Sequence, residues 1–114
     1  MVVGALFGLA AVGMSAYASH GLPADRAALA MTGAQLGAWH GLALLAAGLL
    51  AERRRGPLPH VAAACFALGA IGFCGGVWLR ALTEMSVGMV TPLAGTLLMA
   101  GWIALALGAI ARDR

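Results

Sequence analysis

Hydrophilic residues punctuate this chain instead of alternating with apolar ones. Long apolar runs cover 2–19, 34–51, 60–82 and 92–111, and most charged residues fall between them or at the chain's end. Each run has 18–23 residues, and at about 1.5 Å per residue a helix of that size is roughly 27–35 Å long. That length crosses a hydrocarbon core of ~30 Å. The pattern predicts an all-α fold: an integral membrane four-helix bundle, with residues 1–114 forming a single transmembrane domain.

The breaks between runs carry their own signals. His20, Gly21, Leu22 and Pro23 end the first run, and Pro23 is placed to open a helix as its first residue. Residues 23–32 hold Asp25 and Arg26 beside Ala28, Leu29 and Met31, which reads as an interfacial turn of helix leading into the second span. Glu52, Arg53, Arg54 and Arg55, followed by Gly56 and Pro57, stop that span, because four charges cannot follow it into hydrocarbon. A short loop at 83–90 holds Glu84. Thr91 then reads as an N-cap, with Pro92 at the first helical position of the fourth span.

Composition agrees with lipid as the main solvent. The chain is 62% hydrophobic and 10% charged, with a mean hydropathy of +0.94, whereas soluble domains carry roughly 25% charged residues. All seven basic residues are arginine. They cluster at the ends of apolar runs and not on a soluble face, so nucleic-acid binding is not expected. Arg53, Arg54, Arg55, Arg112 and Arg114 share one side of a four-span topology, against Arg26 and Arg80 on the other. The positive-inside rule then puts both termini in the cytoplasm and the protein in the inner membrane of a bacterial cell as a multi-pass protein. An Ala-x-Ser-like ending to the first run raises the question of a cleaved signal peptide, but the run is long and no basic segment precedes it, so it is read as retained.

Small residues recur at helical spacing on each span: Gly4, Gly8, Ala11, Ser15 and Ala18; Gly33, Gly37, Gly41 and Gly48; Ala62, Cys65, Gly69, Gly72 and Gly76; Ala94, Gly101 and Gly108. Such stripes let helices approach closely in lipid, where hydrophobic drive between helices is weak, and they predict internal packing. Cys65 and Cys74, nine residues apart on one run, cannot bridge each other and are read as small packing residues.

Polar groups at depth are the candidates for function. His20, Gln35, His40 and Thr91, with Cys74, Arg80 and Thr96, all fall toward the non-cytoplasmic half of the predicted spans. His40 also has a simpler reading, as a hydrogen-bonded link between helices. Bis-histidine haem ligation by His20 and His40 is chemically sound only if both rings face one cavity. Zinc has too few ligands at that depth, and no metal site is expected. Ser15 and Ser86 have no oriented base nearby in sequence, so no catalytic residue is assigned.

These residues also carry a resemblance. Ala16-Tyr17-Ala18-Ser19-His20-Gly21-Leu22, Thr32-Gly33-Ala34-Gln35-Leu36 leading to His40-Gly41-Leu42, Phe66-Ala67-Leu68-Gly69 through Gly75, and Thr91-Pro92-Leu93-Ala94-Gly95 with Ala100-Gly101-Trp102 occur in this order. Together they resemble the YgdD and transmembrane-protein-256 family of small four-helix membrane proteins across essentially the whole chain. The resemblance implies His20, Gln35, His40, Thr91 and Pro92 as the characteristic polar set. Ser19 stands where the family commonly has alanine, Cys74-Gly75 where serine-glycine is usual, and Gly95-Thr96 where glycines are paired. The family brings no reaction, cofactor or substrate.

The resulting expectation is a non-enzymatic accessory or scaffold subunit, embedded in the lipid bilayer within a larger membrane complex or homo-oligomer. The alternative is a membrane-embedded site for a lipid, quinone or haem in the outer leaflet, lined by His20, Gln35 and His40.

Overall fold

A computed structural model describes residues 2–83, 85–86 and 88–110. Four helices follow in order: α1 (Val2–Gly21), α2 (Ala24–Arg53), α3 (Leu58–Thr83) and α4 (Val90–Ile110). All four are long and apolar enough to cross a membrane. Each packs antiparallel on the next, α1 on α2, α2 on α3 and α3 on α4, and α4 also meets α2 briefly. The connection at residues 54–57 therefore lies at the same end as the start of α1. Glu84, Arg112 and Arg114, named above, lie outside the described residues.

Boundaries differ from the sequence pattern in instructive ways. Asp25 and Arg26 do not separate an interfacial turn from the second span; α2 runs unbroken for 30 residues, about 45 Å. Asp25 lies in its first turn, where the helix dipole favours a carboxylate. Pro23 is not the first helical residue but the N-cap, at φ −58° and ψ 154°, with its carbonyl accepting from the Ala27 N–H at 2.7 Å. Thr91 is likewise not the N-cap of α4. The helix already includes Val90, and the Leu93 N–H donates to the Met89 carbonyl at 3.1 Å. Pro92 is tolerated there because first-turn amides have no intrahelical acceptor to lose. Gly88, at φ +63°, supplies the left-handed step before it.

Packing follows the small-residue stripes. Gly4 on α1 and Gly41 on α2 face each other so closely that a Cβ on Gly4 would stand 2.7 Å from the Gly41 carbonyl oxygen. The α2–α3 seam admits the Trp78 indole over Gly33 and the Cys74 sulfur beside Gly37. The α3–α4 seam places Leu98 over Gly69 and the Phe66 ring over Gly101. Phe66 is the largest fully buried side chain, and it centres a core with Ala43, Leu44, Ala62, Ala70 and Leu98. A second core of Ala18, Ala30 and Ala81 sits toward the α1–α2 turn.

The first stripe packs as its spacing implies: Gly4, Ala11 and Ala18 are buried, and Gly8 and Ser15 half-buried. Gly13, outside that stripe, is exposed, and a Cβ there would meet nothing within 4 Å. α1 packs along one side alone, on α2, and Gly13 looks away from the bundle.

Candidate functional site

The family-like polar residues do not form one site. His20 is exposed in the last turn of α1. Gln35 is exposed and lines a shallow groove between α1 and α2, with Ala11, Ser15, Met31 and Ala38. His40 is 5% exposed, near the middle of α2. Thr91 and Pro92 line a cleft with Arg80 at the far end of α3 and α4.

His40 is the buried polar residue of the described core, and its ring is fully committed. Nδ1 lies 2.6 Å from the Leu36 carbonyl, one turn earlier on the same helix. Nε2 lies 3.0 Å from the indole nitrogen of Trp102 on α4. A carbonyl can only accept and an indole N–H can only donate. The proton therefore sits on Nδ1, and the Nε2 lone pair accepts from Trp102. Phe66 closes the group: its ring centroid is 5.8 Å from His40 and 5.0 Å from Trp102, the latter in an edge-on arrangement. Three helices thus meet at one polar link walled by aromatic rings.

This geometry removes the basis for bis-histidine haem ligation. Gly4 touches Gly41, the neighbour of His40, whereas His20 is sixteen residues further along α1, roughly 24 Å at about 1.5 Å per residue. A metal at Nε2 of His40 would also have to displace the Trp102 N–H. Among the described residues, no group of three or more His, Cys, Asp or Glu could hold a metal ion.

Other polar groups at depth are bonded too. The Trp78 N–H donates to the Ala30 carbonyl at 3.1 Å, and the Cys74 thiol to the Gly33 carbonyl at 3.3 Å. Thr32, Thr83 and Thr96 donate their hydroxyls one turn back, to Ala28, Leu79 and Pro92. No buried side-chain nitrogen or oxygen lacks a partner among the described residues. Sequence reasoning singled out His40 but not its partner: Trp102, as a tryptophan in an apolar run, looks the same in sequence whether it faces lipid or a histidine.

A lateral groove of about 480 Å³ opens beside this link, lined by Trp39, His40, Leu42, Ala43, Ala46 and Trp102. Its walls are apolar, and His40 reaches it with no nitrogen lone pair to spare.

Comparison with known proteins agrees with this architecture. No solved structure matches the chain. Among its relatives, the UPF0382 membrane protein SSP2132 of Staphylococcus saprophyticus is 31% identical, over 95% of this chain and 93% of that protein. The UPF0382 membrane protein YwdK of Bacillus subtilis is 30% identical, over 96% and 94%. The UPF0382 inner membrane protein YgdD of Escherichia coli is 29% identical, over 100% and 91%. The family described as Protein of unknown function (DUF423) matches residues 14–95. With four apolar helices packed through small residues and this family match across most of its length, the chain belongs to the DUF423 family and is a small polytopic inner-membrane protein.

Proposed function

We propose that the protein works by association and not by catalysis, as an accessory or scaffold subunit of a membrane complex. The observation that carries this reading is the outward face of α1. Gly13 is exposed and opens onto empty space there, beside exposed Leu6, Leu9 and Val12. In lipid, a glycine on a helix face offers close approach to another helix, and among the described residues nothing takes up that approach at Gly13. The commitment of His40 to Leu36 and Trp102 supports the same reading, since it leaves the ring no free lone pair for acid–base or ligand chemistry. Short connections leave little outside the bilayer to recognise a soluble substrate. In this reading both termini and the connection at residues 53–55 face the cytoplasm, following the arginine bias.

The test is native mass spectrometry of the full chain extracted in a mild detergent. A complex of defined stoichiometry, with another protein or with further copies of the chain, is the expected result. A strictly solitary monomer across several mild detergents overturns the proposal.

A further inference from the structure

Two adjoining clefts open at the end of the molecule formed by the α1–α2 turn and the α3–α4 connection. The first, of about 270 Å³, is lined by Leu29, Val77, Arg80, Ser86, Thr91 and Pro92. The second, of about 280 Å³, is lined by Asp25, Arg26, Leu29 and Arg80. Leu29 and Arg80 belong to both, so the Arg80 guanidinium stands on the shared wall.

The chemistry of the first cleft is sorted by side. Arg80 brings up to five N–H donors in a planar fork that matches phosphate oxygens. Ser86 accepts from the Gly88 N–H at 3.2 Å through its oxygen, which leaves its own O–H to donate outward. Thr91 adds a second hydroxyl at the start of α4. The rest of the lining is apolar: Leu29, Val77 and Pro92. The volume equals roughly nine waters at about 30 Å³ each, which is room for more than a bare ion. The position is the end of the apolar spans, where headgroups lie.

We propose that this cleft holds the phosphate of a phospholipid headgroup. Arg80 binds the phosphate oxygens in bidentate fashion, and the Ser86 and Thr91 hydroxyls donate to the same group. Leu29, Val77 and Pro92 pack on the glycerol and the upper acyl chain. The Asp25 carboxylate in the adjoining cleft suits a headgroup that also carries hydroxyl or ammonium donors. This site stands whether or not a partner docks on α1.

The experiment measures phospholipid retained by the full chain after extensive washing in detergent, by native mass spectrometry and by lipid extraction. Arg80→Gln should lower the retained phospholipid about tenfold, the scale of a lost charge-assisted hydrogen-bond pair. Arg80→Lys, which keeps charge without the fork, should retain an intermediate amount. Arg53→Gln, at the opposite end of α2, should retain as much as the unaltered chain. Should Arg80→Gln fail to fold, the Ser86→Ala/Thr91→Val pair serves instead, with a smaller loss expected. Equal retention by the unaltered chain and these variants overturns the site. Equal retention of diacylglycerol, which has no phosphate, overturns it too. Displacement of the lipid by inorganic phosphate alone reassigns the cleft to a free oxyanion and overturns the lipid assignment.

Discussion

The Trp102 indole N–H donates to Nε2 of His40 at 3.0 Å, joining α4 to α2 across 62 residues of sequence. It ties together two helices that otherwise meet only briefly. Because Trp102 is also 45% exposed, the link sits at the edge of the core and not at its centre. Hydrogen bonds between helices in membranes are worth about 0.6 kcal/mol on average and up to about 1.7.

Trp102→Phe keeps an aromatic ring against Phe66 and removes the donor. Unfolding in detergent should show a loss of about 1–2 kcal/mol, the cost of leaving a buried acceptor unpaired. In a double-mutant cycle with His40→Ala, the two losses should not add, because one bond underlies both. Strict additivity would show that the contact carries no energy.

The seam between α1 and α2 rests on Gly4 and Gly41. Gly41→Ala places a methyl within 2.9 Å of the Gly4 carbonyl oxygen, and backbone cannot yield as a flexible side chain does. A loss of about 1–3 kcal/mol is expected from overpacking. Gly8→Ala, four residues along α1 and facing open space, should instead gain up to about 1 kcal/mol from helix propensity. Thermal unfolding of the two variants in the same detergent gives the comparison.

A leucine at Gly13 separates stability from association. Gly13 is exposed and its Cβ meets nothing within 4 Å among the described residues, so the monomer should melt at the same temperature or higher. The complex seen by native mass spectrometry should disappear. An intact complex in this variant would place the partner elsewhere.

Cys74 donates to the Gly33 carbonyl as a hydroxyl would. Cys74→Ser should therefore keep stability within about 0.5 kcal/mol, and Cys74→Ala should lose about 1 kcal/mol. Maleimide labelling in detergent should modify Cys65, which is partly exposed, well before Cys74, which is buried.

Much of the fold is legible in the apolar pattern. Four runs of bilayer length and four small-residue stripes foretell four helices and the faces on which they meet, because lipid demands internal backbone hydrogen bonding and small residues permit close approach. Gly41, Gly69, Gly101 and Gly108 all lie in seams, as their spacing implies. Charged residues near a helix start were the misleading signal. Asp25 and Arg26 look like a boundary, yet their backbone continues the helix, because a polar side chain at the interface can reach water without breaking the chain's hydrogen bonds.

Spacing along one helix follows from the order of residues, and so does the cost of immersing a hydrophilic group in hydrocarbon; both point to His40. Which group answers that cost depends on contacts between residues far apart in the chain. Folding assigned Trp102 to His40, Ala30 to Trp78 and Gly33 to Cys74, scattered the other polar candidates to different depths, and left Gly13 of α1 facing outward. None of these outcomes is encoded in local periodicity, because each depends on how the helices cross and how far each extends past its neighbour.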